Sequence, residues 1–148
     1  MGMFDSMHVS ASGMAAERLR MDVISQNLAN VNSTSGADGQ PYRRHEVVFQ
    51  AKDQIAGGVG AGASADAMQG KPMEGVAPIA IVEDPSPLRQ VYDPSHPDAD
   101  ENGYVSMPNV NPVTEMVDMM TATRAYEANV TAMNAAKNMA LKALDIIR

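Results

Sequence analysis

The sequence predicts an α+β chain: two long terminal helices pair as an antiparallel coiled coil, and a small β-rich domain lies between them. Three observations predict it. Met119, Tyr126, Met133, Ala140 and Ile147 recur at every seventh position near the C-terminus. Met7, Met14, Met21 and Leu28 repeat the same spacing near the N-terminus. Between these stretches the periodicity gives way to short β-branched runs broken by prolines. An apolar residue every seven positions draws a stripe along one side of a helix, and a stripe kept this long calls for another helix against it. The implied boundaries are 1–35 for the N-terminal helix, 36–110 for a central outer domain and 111–148 for the C-terminal helix.

The N-terminal helix runs from about Phe4 to Val31, with Phe4, Ala11, Ile24 and Val31 widening its stripe. Gly13 lies inside it and weakens it by about 1 kcal/mol relative to alanine. Glu17, Arg18, Arg20 and Asp22 fall on other faces, as solvated charges do. The run Asn27-Leu28-Ala29-Asn30-Val31-Asn32-Ser33-Thr34-Ser35-Gly36 competes with helical hydrogen bonding, so the helix stops there.

The C-terminal helix has a marked start. Asn111 is a good N-cap and Pro112 suits the first helical position. Glu115 and Asp118 suit the positive end of the helix dipole, and Lys142 and Arg148 the negative end. Val130 and Leu144 widen the stripe, each four residues after Tyr126 and Ala140. No glycine or proline interrupts the helix after Pro112, so its length is roughly 50 Å. A helix that long projects from a compact domain. A lone two-helix pair buries only one stripe of each helix and is marginal in water, so the apolar surface left over predicts further copies packing alongside.

In the middle, Tyr42–Gln50, Val76–Val82, Leu88–Tyr92 and Tyr104–Met107 read as strands, with Pro78 placing the second at an edge. Pro85, Pro87, Pro94 and Pro97 mark turns. The stretch AGGVGAGASA at 56–65 is low in complexity and reads as the heart of a flexible loop over 56–70. Gly58, Gly60 and Ala63 satisfy a dinucleotide-binding pattern only loosely, without the strand and helix it needs, and no Ser or Thr follows Gly70-Lys71 as a phosphate loop requires. No cofactor is expected.

The sharpest candidate for metal chemistry is Asp98-Ala99-Asp100-Glu101-Asn102-Gly103. It matches the first half of an EF-hand calcium loop, but Asn109 stands where the bidentate Glu belongs, and Pro94 and Pro97 forbid a leading helix. The stretch reads as a β-turn, with a weak calcium module as the minor alternative. His8, His45 and His96 are far apart and no Ser sits in a nucleophile elbow, so no catalytic constellation is visible.

Composition narrows the classes further. A net charge of −7 opposes phosphate-backbone binding and adhesion to anionic lipid, so neither nucleic acid nor membrane is an expected partner. The chain has no cysteine, which excludes a disulfide scaffold and a thiolate metal site. Thirteen methionines, mostly in the terminal segments, suit adaptable helix packing. No apolar run is long enough to span a bilayer, and the N-terminus shows no cleavable signal peptide.

The segment Ser25 to Thr34, with Asn27-Leu28-Ala29-Asn30 at its centre, resembles the N-terminal signature of bacterial flagellar axial proteins of the rod and hook. Pro41-Tyr42-Arg43-Arg44, the run Val91 to Val105 and Met107 to Val117 extend that resemblance toward the basal-body rod. Asn111, Pro112, Arg124, Tyr126 and Asn129 fall in the C-terminal part of the match. It implies a structural subunit of the proximal rod, with the terminal helices forming an inner coiled-coil domain around the export channel. It further implies export through the flagellar type III apparatus without a cleaved signal, and packing against copies of itself, other rod proteins and the base adaptor. The alternative is a soluble helical adaptor or secreted protein that binds one partner through its terminal helices.

Overall fold

The computed structural model describes residues 3–36, 39–51 and 75–146, with side chains from 5 to 145 within those ranges. The predicted loop over 56–70 and the stripe residue Ile147 lie outside the described residues. The elements, in chain order, are α1 (Met3–Ala29), β1 (His45–Ala51), β2 (Val76–Glu83), β3 (Arg89–Tyr92), β4 (Tyr104–Met107) and α2 (Pro112–Ile146). The α+β class follows directly.

Both helix ends sit where local chemistry puts them. The Asn111 side-chain oxygen accepts from the N–H of Val113 (3.0 Å) and its carbonyl from the N–H of Glu115 (3.0 Å), so it caps α2. At the end of α1, the Asn30 amide donates to the Gln26 carbonyl (2.9 Å) and accepts from the Ser33 hydroxyl (3.1 Å). The backbone tightens at the same point, with the Val31 N–H on the Leu28 carbonyl (3.4 Å) and the Ser33 N–H on the Asn30 carbonyl (3.0 Å), both three residues back, and α1 ends two residues before the expected Val31.

The two helices pack against each other and run antiparallel. Asn27 meets Glu115, Met21 meets Thr123, and Gly13 meets Asn129. Asn27 and Gly13 are fourteen residues apart, as are Glu115 and Asn129, so the two chains advance in step. At 35 residues against 27, α2 overhangs its partner, which leaves Leu144 exposed near its end.

The four strands form two separate two-stranded antiparallel ribbons, where the sequence had predicted one small module. In the first, His45 pairs with Glu83 and Ala51 with Val76, with a bulge between Val48 and Phe49 beside Pro78. In the second, Arg89 pairs with Met107 and Tyr92 with Tyr104. β1 begins three residues later than expected. Tyr42 and Arg44 give their backbone N–H groups to Ser33 O (3.3 Å) and Asn109 Oδ1 (2.8 Å), so they are not free for a ladder. The β1–β2 ribbon lies along α1. There the Arg20 guanidinium sits over the Phe49 ring (4.7 Å) and the Ser12 hydroxyl accepts from the N–H of Val76 (3.1 Å). α1 is thus shared between α2 and the ribbon. Its buried residues, Ala16, Val23, Ile24 and Asn27, fall within one arc of about 100° of the helix.

Gly13 explains itself in this packing. A Cβ there would stand 3.0 to 3.2 Å from the amide of Asn129, which donates to its own helix at Ala125 O (3.0 Å). Gly13→Ala should therefore lose in crowding what it gains in helix propensity, about 1 kcal/mol. In an Asn129→Ala background the same substitution should be stabilising by about that amount. Urea melts of the four proteins of the cycle decide it: an equal effect of the alanine in both backgrounds would remove Asn129 as the reason for the glycine.

Candidate functional site

The site begins with one side chain that has no water around it. Glu115, in the first turn of α2, is fully buried. An ionised carboxylate in that position needs donors on both oxygens. Its Oε1 accepts from Arg44 Nε at 2.5 Å and its Oε2 from Asn27 Nδ2 at 3.1 Å. The three residues come from α2, the segment entering β1, and the last turn of α1.

Asn27 is 1% exposed, and its amide is fully used. Nδ2 donates to Glu115 and to the His45 carbonyl (2.9 Å), while Oδ1 accepts from the His45 N–H (3.0 Å) and the Tyr42 hydroxyl (2.9 Å). The backbone N–H of His45 can only donate, so the orientation of the amide follows without ambiguity. His45 Nδ1 lies 3.0 Å from the Tyr42 oxygen, and the two rings are tilted against each other at 5.2 Å.

Arg44 fans out over four acids. Besides Glu115 it reaches Glu46, Asp118 (3.4 Å) and Asp84 (3.9 Å). Burial works against its charge, yet the hydrogen bond and charge of Glu115, then those of Glu46, outweigh it and hold its pKa above the usual value. Burial pushes the Tyr42 phenol above its ordinary 10.0, and the charges of Glu115 and Glu83 push the same way. Asn109 completes the junction. Its oxygen accepts from the Arg44 N–H, and its amide donates to the carbonyls of Asp84 (3.2 Å) and Ser86 (3.4 Å). The Ser86 hydroxyl and N–H hold the Asp84 carboxyl below its ordinary range.

A half-open cleft of about 270 Å³ lies at this junction, lined among others by Arg20, Val23, Ile24, Arg44, Asp118 and Thr121. Arg44 and Glu115 are already engaged with each other, and the arrangement sets up no nucleophile with a base. The predicted turn from Asp98 to Gly103 lies elsewhere, and its carboxylates do not converge: Asp98 accepts from the Thr34 hydroxyl (2.8 Å). Among the described residues, no group of three His, Asp or Glu side chains could hold a metal ion.

The stripe residues take the following places. Met7, Met14, Met21 and Leu28 on α1 are half-buried, as are Met119, Tyr126, Val130, Met133 and Ala140 on α2. The fully buried line on α2 is Glu115, Ala122 and Ala136, on the same seven-residue spacing with half-buried Asn129 between. Small and polar residues thus occupy the centre of the seam, and the long apolar ones flank it. Of the motif residues, Asn27 and Asn129 face the helix pair, Asn30 and Asn111 close helix ends, Pro112 opens α2, and Ala29 and Arg124 are exposed. Sequence reasoning missed Arg44, Glu115 and Asn109 as one network. It had read them as a strand residue, a dipole partner and a failed calcium ligand. The available signal was a basic pair, Arg43-Arg44, ahead of an acidic first turn.

A second feature is the apolar surface that nothing in the chain covers. Val113, Met116, Val117 and Met120 are all at least 48% exposed on α2. At about 100° per residue they fall on the side turned away from Glu115 and Ala122. Ile79, Ile81 and Val82 of β2 are exposed to a similar degree.

Comparison with known proteins agrees along the whole chain. Residues 7–37 match the family described as flagella basal body rod protein, and residues 101–146 match that described as flagellar basal body rod FlgEFG protein C-terminal. The chain is 42% identical to the flagellar basal-body rod protein FlgC of Borreliella burgdorferi, over all of this chain and 99% of that one. Its counterpart of the same name in Bacillus subtilis is 47% identical over 97% of each chain. That of Salmonella typhimurium is 40% identical over 99% of this chain and 98% of its own.

Asn27→Asp keeps the shape of the junction and exchanges its donors for a second carboxylate facing Glu115. It should cost about 3 kcal/mol, read as a lowered urea midpoint, whereas Asn30→Asp on the exposed side of the same turn should cost under about 1 kcal/mol. Equal effects would mean that the junction does not hold the helices. A second outcome concerns alkali. Because folding raises the Tyr42 pKa, the stabilisation is complete below pH 10.0, the unfolded value, and is lost as pH rises through the higher folded value. Tyr42→Phe should remove that part of the alkaline loss in melts taken across this range. An unchanged profile would show that Tyr42 is not its source.

Proposed function

The chain belongs to the family of the flagellar basal-body rod protein FlgC and is a structural subunit of the bacterial flagellar basal-body rod; from that premise we propose that it builds the proximal rod by packing helically against copies of itself and other rod proteins. The observation that supports this reading is the near-complete coverage of FlgC relatives that are 42% and 47% identical to the chain. The role is structural rather than catalytic.

The two terminal helices serve in this reading as a coiled-coil inner layer around the export channel, and the ribbons as the outer domain. Met7, Met14, Met21, Leu28, Met119, Tyr126, Val130, Met133 and Ala140 flank the seam, shared between the pair and its neighbours, and exposed Leu144 is open to a neighbour alone. A rod is an open helix, so each copy needs two different surfaces that fit each other. The uncovered face of α2 is a ready surface of that kind. Further partners are the base adaptor and the type III export apparatus, which passes the chain without a cleaved signal into the periplasmic rod. Such a subunit transmits torque and is required for motility.

Val117→Asp and Met120→Asp place a charge on a face that is open in the single chain. Both variants should fold, with unchanged urea midpoints, and both should be exported. They should nevertheless be absent from purified basal bodies, and cells carrying them should not swim. Normal incorporation of both would remove this face from the assembly. Normal swimming by cells lacking the whole chain would overturn the rod reading itself and favour a one-partner adaptor.

A further inference from the structure

We infer that Asn102-Gly103 is a deamidation site that the β3–β4 turn holds inert, so that it is modified in chains that remain unfolded. The chain has nine asparagines, and only Asn102 is followed by glycine. The chemistry depends on that neighbour. The backbone nitrogen of the next residue loses its proton and attacks the asparagine side-chain carbonyl carbon. A C–N bond forms, ammonia leaves, and a five-membered succinimide remains. Water then opens the ring at either carbonyl, giving aspartate or, with the backbone rerouted through the side chain, isoaspartate. No redox partner is needed, and water is the only co-reactant. A side chain on the following residue hinders the attack, and glycine has none.

Asn102 is exposed, and its amide makes no hydrogen bond among the described residues, so the electrophile is open to the reaction. The nucleophile is not. Gly103 is buried, and its N–H donates to the Asp100 carbonyl at 2.8 Å. Its own carbonyl accepts from the N–H of Asp93 at 3.0 Å, which ties the turn back to the end of β3. Its φ is +79°, and a Cβ built there would stand 3.0 Å from the Tyr92 ring and 3.2 Å from Pro94. The same absence of a side chain thus does two opposite things. It lets Tyr92 and Pro94 close over the turn in the folded chain, and it exposes the nitrogen to attack in the unfolded one.

The product would not be silent. Isoaspartate adds a backbone carbon between residues 102 and 103, just before β4. That shifts the register of Tyr104 against Tyr92 and breaks the Gly103 bond to Asp100. From β4 the chain runs through buried Pro108 and Val110 to the α2 cap at Asn111, so a displaced turn loads the start of that helix. A chain that waits too long before folding is chemically marked at the point that joins its outer ribbon to its inner helix.

The test uses the full-length protein at mildly alkaline pH, incubated in native buffer and in urea, with intact mass and peptide fragmentation followed over time. In urea the Asn102 peptide should convert first, to a mixture containing isoaspartate. In native buffer the conversion should be at least about tenfold slower, the protection expected when reaction requires the turn to open. Asn102→Ser should abolish that mass shift in urea. Equal rates in the two buffers would overturn the protection. Earlier conversion at another asparagine, or the same mass shift persisting in the Ser variant, would overturn the site.

Discussion

One carboxylate governs this structure. Glu115 has no access to water, and everything that satisfies it comes from a different part of the chain. Its cost in isolation is far larger than any single contact in the protein, so it cannot be buried until Arg44 and Asn27 are both in place. Arg44 is reached only when the segment after α1 has folded back, and it is held there by Asn109 from the other side of the outer domain. The pairing of the helices, the start of β1 and the connection into α2 are therefore not separate events. Compared with an apolar cluster of the same volume, such an arrangement adds little to net stability. What it supplies is register: a slip of one helical turn between α1 and α2 would strand Glu115 without donors. A seam centred on Ala122 and Ala136 would resist such a slip far less.

That need for a polar lock follows from the composition of the seam. The line that lies deepest on α2 carries alanines, an asparagine and the glutamate, while the large methionines and Tyr126 stand to its sides. Gly13 on α1 continues the theme, since Asn129 rests where a side chain would be. Small residues bring the helices close but contribute little apolar area each. The flanking side chains are left half-buried, with capacity to meet another helix. α1 has none to spare on two of its faces, because the β1–β2 ribbon lies on one and α2 on the other. The outward apolar residues accordingly gather on α2 and β2.

Much of this was legible in the residues. Both helices, the cap at Asn111-Pro112, the stop after Asn27-Leu28-Ala29-Asn30 and the turn ending in Gly103 rest on local chemistry, and local chemistry is what sequence reports. The two-ribbon arrangement was less so. Proline marks where strands end, but pairing between β1 and β2 is decided across 24 intervening residues, and no local signal carries it. The centre of the seam was missed for a related reason. A search for apolar periodicity passes over Glu115, Ala122 and Asn129, although their spacing is the same seven. Polar residues become seam residues only when a partner such as Arg44 is brought to them, and that partner lies 71 residues away.

The distribution of strong and weak packing suits a subunit that must exist in two conditions. The polar junction sits at one end of the helix pair, where α1 ends and α2 begins. From there the pair runs away toward the N-terminus of α1 and the C-terminus of α2, and the overhang of α2 lies at that far end. The β1–β2 ribbon supports α1 from the junction as far as Ser12, and the overhang of α2 lies beyond that support. A chain built the other way round, with its best packing at the free ends, would be a more stable monomer and a poorer building block. Its long helices would already be satisfied, and their ordering would contribute nothing to the free energy of assembly. By fixing register at Glu115 and leaving Val113, Met116, Val117 and Met120 uncovered, the chain settles its own geometry and still keeps an apolar face of α2 open.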